Sequence, residues 1–171
     1  MADIRTVTFN SGVAAMNGAG VSFNAVQQSM VTYLTLFLRD VAAASQPFAS
    51  FCLGMSQLTG TAGRIVWSVA SDRVTDGRRK GVLVLMMSGA AAACLAAAAV
   101  SDGWSVVALV ALAGVMGATI LAYAPMLHTV CAEAVEPRLA GAAIGSNLLA
   151  TSVGGTIGPL VFGAIIDATD S

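Results

Sequence analysis

Charge is what this sequence has least of. Only 10% of its 171 residues are Asp, Glu, Lys or Arg, whereas a soluble domain usually carries about 25%. A water-soluble fold needs a polar surface to enclose its core, and this composition cannot supply one. Basic runs are equally scarce. With a net charge of −1 and no long cationic stretch, the chain has no means of neutralising a phosphate backbone, so nucleic acid is excluded as a partner. The three cysteines, Cys52, Cys94 and Cys131, stand singly in apolar stretches. Without metal-ligand spacing they read as small buried hydrophobes, and no metal site is expected. The lone histidine, His128, has no nucleophile or carboxylate at a useful spacing, and the G-x-x-x-x-G-K phosphate loop is missing. Enzyme chemistry is therefore not expected, nor is a cofactor. The stretch 1–10 lacks the basic start and compact apolar core of a cleavable signal, so the first helix is expected to direct its own insertion.

What the sequence has is hydrophobic length. Fifty-seven per cent of the residues are hydrophobic and the mean hydropathy is +0.82. A helix rising 1.5 Å per residue needs roughly 20 mostly apolar residues to cross the hydrocarbon layer. The pattern predicts an all-α membrane protein with about five transmembrane helices in a single bundle over residues 1–171. The spans are placed near 13–38, 48–70, 82–100, 105–132 and 139–166. Basic residues in short loops set orientation. A cytoplasmic N-terminus puts Arg5, Arg73, Arg78, Arg79, Lys80 and Arg138 inside and only Arg39 outside. The expected location is the bacterial inner (plasma) membrane, with the C-terminus outside.

Two spans carry polar stripes. On the first, Asn10, Asn17 and Asn24 recur every seven residues and are followed by Gln28, Thr32 and Thr35. Such intervals keep side chains on one helical face. Amides facing lipid would be costly, so the stripe should meet either other helices or a water-filled cavity. The second span aligns Gln57, Thr61, Arg64 and Ser68 in the same way. Arg64 lies eight residues before Asp72, roughly 12 Å from the cytoplasmic end at helical rise. Helical side chains lean toward the helix N-terminus, here the outer side, so Arg64 should lean toward the bilayer middle rather than snorkel. An intramembrane arginine is an ion-pair partner or an anion ligand, and its planar fork suits a carboxylate. In the last span, Gly141 and Gly145 stand at GxxxG spacing, with Gly154, Gly155, Gly158 and Gly163 beyond them, a pattern that lets backbones approach closely in lipid.

The run Gly63-Arg64-Ile65-Val66-Trp67-Ser68-Val69-Ala70-Ser71-Asp72-Arg73, followed by Gly77-Arg78-Arg79-Lys80, resembles the signature loop of the major facilitator superfamily. It departs at Ser68, where glycine is usual, and Val74–Asp76 lengthen the loop. Pro137 to Asn147, then Gly158-Pro159 and Gly163, resemble the family's eleventh helix. The first helix, with Tyr33-Leu34 and Arg39-Asp40 near its end, is similar to the seventh. The resemblance implies the C-terminal half of a secondary active transporter that works by alternating access, with helices seven to eleven present and the twelfth helix and N-terminal half missing. The chain is thus expected to be an incomplete fragment.

The resemblance also implies roles. The first, second, fourth and fifth spans would line the cavity, making Asn24, Gln28, Gln57, Arg64, Tyr123 and Asn147 candidate solute-binding or cavity residues. Asp72, Arg73, Gly77, Arg78, Arg79 and Glu133 would form the conformational gate, with Asp72 capping a neighbouring helix and Arg73 pairing with an acid such as Glu133. The implied partners are the lipid bilayer, a small solute for which an anion is the class Arg64 suits, a proton or other coupling ion, and the missing N-terminal half. The rival expectation is a non-transporting membrane subunit, or a truncated remnant, that associates with partner helices.

Overall fold

A computed structural model describes residues 7, 10–74 and 79–169. All the regular structure in them is helical: α1 (Ser11–Asp40), α2 (Gln46–Val74), α3 (Arg79–Ala98), α4 (Val106–Met116), a π-helical segment (Gly117–Leu121), α5 (Ala124–Glu133), a 3-10 turn (Pro137–Leu139) and α6 (Ala140–Thr169). Three stretches have both the length and the hydropathy of a membrane span: Arg79–Ala98, Val106–Glu133 and Pro137–Thr169. Helices α1 and α2, at 30 and 29 residues, are long enough to cross, but their polar stripes lower their hydropathy. One expectation is corrected. The fourth span is not a single helix but two, joined through the π segment and a bend at Ala122–Tyr123.

Local chemistry sets the ends. The Asn10 side-chain oxygen accepts the Val13 N–H at 3.1 Å and caps α1. At the far end, Ala43 takes a left-handed conformation (φ 51°), which brings the Ala44 N–H to the Leu38 carbonyl at 3.0 Å. The Ser105 hydroxyl caps α4 by accepting from the Ala108 N–H at 3.2 Å.

By packing, the chain divides into two compact units: one of residues up to Met30 together with Leu127 onward, the other of Val31–Met126. In the first, Val7, Val13, Cys131, Leu139 and Ala143 form an apolar cluster. In the second, α2 and α3 both pack on α4 and the π segment. Cys52 and Cys131 are buried as expected, but Cys94 is exposed, on a face of the alanine-rich α3 that no other described residue covers.

Candidate functional site

The break in the fourth span starts with Pro125. Its nitrogen carries no hydrogen, so it cannot donate to the carbonyl four residues back, which belongs to Leu121, and its ring crowds that carbonyl. The chain yields at this point. Gly117–Leu121 widens to a π turn, Ala122 and Tyr123 bend, and α5 restarts at Ala124 with the proline in its first turn, where a missing N–H costs least. Single π turns inside α-helices mark functional positions in many proteins. At membrane depth, carbonyls released by such a break need other donors.

Helix α2 provides them. The Arg64 Nε–H donates to the Leu121 carbonyl at 3.3 Å, and the Trp67 indole N–H donates to the Ala118 carbonyl at 2.7 Å. These contacts require a close crossing, which glycine permits. A Cβ on Gly117 would fall on the Ser56 carbonyl, one on Gly60 would meet the Leu121 side chain, and one on Gly63 would press on Ala118 and Ala122. Ser56, Gly60, Gly63 and Trp67 recur at helical spacing, so one face of α2 carries the whole seam.

Arg64 remains exposed apart from this bond. Thr61 and Gln57, about one and two turns earlier on the same edge, are exposed as well. The Thr61 hydroxyl donates to its own helix at the Gln57 carbonyl, 2.9 Å away. This polar edge is therefore left uncovered by the described residues. Tyr123, only 3% exposed, sits in the bend within electrostatic reach of Arg64. The break thus gathers a guanidinium, two backbone carbonyls, an indole and a phenol at one place in the second unit.

The other unit uses its polar stripe differently. Asn10 donates to the Ala134 carbonyl at 3.2 Å, Asn17 to the Ser146 hydroxyl at 3.0 Å and Asn24 to the Thr151 carbonyl at 2.7 Å. Asn147 is fully buried and donates to the Met16 carbonyl at 3.0 Å and to the Asn17 side-chain oxygen at 3.1 Å. Its own side-chain oxygen has no partner among the described residues. Cβ atoms on Gly154 and Gly158 would strike the Val21 and Ala25 carbonyls, and one on Gly155 would meet Asn24 and Gln28. Four asparagines thus hydrogen-bond, and three glycines closely pack, α1 and its N-cap against the chain's C-terminal helical segments, while Gln28 stays exposed.

In the charged loop, Arg79 pairs with Asp72 at 3.1 Å. Arg73 is exposed beside a shallow hollow formed by Ile65, Val66, Val69 and Ala70. Gly77 and Arg78 lie outside the described residues. In the first unit, Glu133 borders a separate hollow of about 460 Å³ with Asn10, Glu136 and Arg138, and Arg138 binds Glu136 at 2.7 Å. Among the described residues no cluster of His, Cys, Asp and Glu is arranged to hold a metal ion.

Sequence reasoning did not identify Trp67, Gly117 or the carbonyls of Ala118 and Leu121 as functional groups. Pro125 inside an apolar run was the one signal that could have found them. The family model of the Major Facilitator Superfamily matches residues 8–170. A search of curated proteins returns no match.

Proposed function

This chain belongs to the major facilitator superfamily, and from that premise we propose that it supplies helices seven to eleven of an alternating-access transporter whose solute is a small anion. The family makes it a membrane transporter of the major facilitator type. One observation carries the choice of solute. Arg64 sits on an exposed polar edge with Gln57 and Thr61, and its one hydrogen bond among the described residues is to a neutral carbonyl, 3.3 Å away. A guanidinium has five N–H donors in a planar fork, and a carboxylate or phosphate matches that fork in a bidentate way. Charge-assisted bonds are about twice as strong as neutral ones, so an anion outbids the carbonyl for this group. Gln57 lies about two turns away on the same edge to receive the solute's uncharged portion.

In this reading the solute path lies between the polar edges of these helices and a second six-helix half, as in the family's fold. The charged loop with Asp72, Arg73, Gly77, Arg78 and Arg79 is the cytoplasmic gate, and a proton or another ion drives uphill movement. Within the first unit, Asn24 and Asn147 fix α1 and leave Gln28 exposed; within the second, Tyr123 backs Arg64 from inside the bend. The test is uptake of radiolabelled acetate, succinate and phosphate by proteoliposomes holding the complete transporter. Arg64→Ala is expected to abolish uptake of the transported anion while expression persists; unchanged uptake sinks the anion reading.

A second reading rests on Gly141 and Gly145, above which a Cβ would meet nothing within 4 Å. An open GxxxG pair of this kind suits a partner helix, as in a non-transporting subunit. Co-purification of one stoichiometric partner without uptake of any solute would favour it.

A further inference from the structure

The Arg64 Nε–H, which donates to the Leu121 carbonyl, cannot at the same time serve an anion that docks side-on across Nε and a terminal nitrogen. We propose that this exchange couples solute to movement. In the empty protein Arg64 secures the break in the fourth span, and when an anion binds, Arg64 leaves Leu121 and the break is released. The inference rests on the reading of Arg64 as the anion's ligand and adds what that binding does.

The argument starts from donors. Leu121 lacks its α-helical donor because residue 125 is proline, and the Arg64 Nε–H stands in for it at 3.3 Å. That is a long bond to a neutral acceptor, whereas a carboxylate or phosphate offers shorter, charge-assisted bonds in matched pairs. An anion docking side-on engages Nε together with a terminal nitrogen, which removes the hydrogen that Leu121 was using. The carbonyl then turns to water entering with the solute. Trp67 is unaffected: its indole still holds Ala118 at 2.7 Å. The segment before the bend therefore stays fixed to α2, while Leu121, at the bend itself, loses its hydrogen bond from Arg64. One fixed point and one releasable point, three residues apart, make a hinge. The glycine seam keeps the fixed side close, since Gly117 lies against Ser56 and Gly63 against Ala118.

Two substitutions separate binding from coupling. Pro125→Ala restores an amide hydrogen at the position from which an unbroken helix would serve Leu121. Arg64 is then free before the anion arrives. Binding should strengthen by roughly two- to ten-fold, the worth of one neutral hydrogen bond, and no longer disturb the break. Arg64→Gln removes the anion's ligand and leaves the break loose from the outset, and Arg64→Lys, which keeps the charge but not the fork, is the fallback should that variant not fold.

The experiment measures amide hydrogen exchange over residues 117–127 of the complete protein in lipid nanodiscs, with and without saturating acetate, succinate or phosphate. The affinity of each anion is measured in parallel. The expected result is Arg64-dependent binding of at least one probe. It should be accompanied by exchange at Leu121–Ala124 faster by roughly two- to ten-fold, an acceleration lost in Pro125→Ala and already present without anion in the Arg64 variants. Arg64-dependent binding with unchanged exchange would overturn the coupling and leave the anion reading intact. No Arg64-dependent binding of any probe would overturn both.

Discussion

The Trp67 indole N–H donates to the Ala118 carbonyl across 2.7 Å, tying the middle of α2 to the π turn of the fourth span. Phenylalanine at position 67 would retain most of the buried ring and lose only the donor. The Ala118 carbonyl would then have to find water at a depth where little is present. An unsatisfied buried acceptor costs about 1–3 kcal/mol, so Trp67→Phe should lower thermal stability in detergent by an amount in that range. Histidine at the same place offers a ring N–H and should recover part of the loss. A Phe variant as stable as wild type would mean that the bond contributes nothing net.

The glycines divide into those with a backbone against them and those facing open space. At Gly117 a Cβ would land on the Ser56 carbonyl, and at Gly154 on the Val21 carbonyl, whereas at Gly54 and Gly141 nothing lies within 4 Å. Because the obstacle at the first pair is backbone, relief requires moving a helix. Gly117→Ala and Gly154→Ala should each destabilise by about 1–3 kcal/mol, the usual cost of overpacking. Gly54→Ala and Gly141→Ala should be neutral or stabilising by up to about 1 kcal/mol, since alanine has the higher helix propensity. Melting curves for the four single variants check this ordering directly.

Where the sequence was legible, one residue type at a repeating interval carried the message. Asn10, Asn17 and Asn24 announced a shared face, and that face is where α1 hydrogen-bonds residues 134–151. Whether the stripe faced helices or water could not be read from α1, because the answer lies in Ser146, Asn147 and three glycines more than 120 residues away. The break at Gly117–Leu121 was harder still. Every residue from Val106 to Leu121 is apolar, glycine, alanine or threonine, so hydropathy sees one uninterrupted span. Only Pro125 hinted otherwise, and prolines in membrane helices often produce no more than a kink. The groups that satisfy the broken segment, Arg64 and Trp67, sit more than 50 residues earlier, with nothing local to link them to it.

Asn147 carries a second testable consequence. It is fully buried and its two donated bonds reach Met16 and Asn17. Hydrogen bonds between membrane helices are worth about 0.6 kcal/mol on average and seldom exceed about 1.7. Asn147→Leu should thus cost about 1–2 kcal/mol as two acceptors lose their donor. Asn17→Ala removes one of those acceptors, so the double variant should be less destabilised than the sum of the singles, the non-additivity expected of residues in one network. Strict additivity would show that Asn17 and Asn147 do not share the bond.

The orientation inferred from the basic residues is tested by labelling. The loop at Ser101–Trp104 separates α3 from α4, while Glu136 lies between α5 and α6. With the N-terminus in the cytoplasm, the first loop faces outside and the second inside. Replacing Cys52, Cys94 and Cys131 by alanine leaves a background without thiols, into which a single cysteine is introduced at Asp102 or Glu136. Both positions are exposed, so access to a membrane-impermeant maleimide reports the side of the membrane alone. Asp102→Cys should react in intact cells, and Glu136→Cys only after the cells are opened. The reverse pattern would place Arg73, Arg79, Lys80 and Arg138 outside, against the bias that basic residues impose on short loops. It would also put the charged loop at the wrong face to act as a cytoplasmic gate. Labelling of both positions in intact cells would remove the odd number of spans between them that every part of this topology requires.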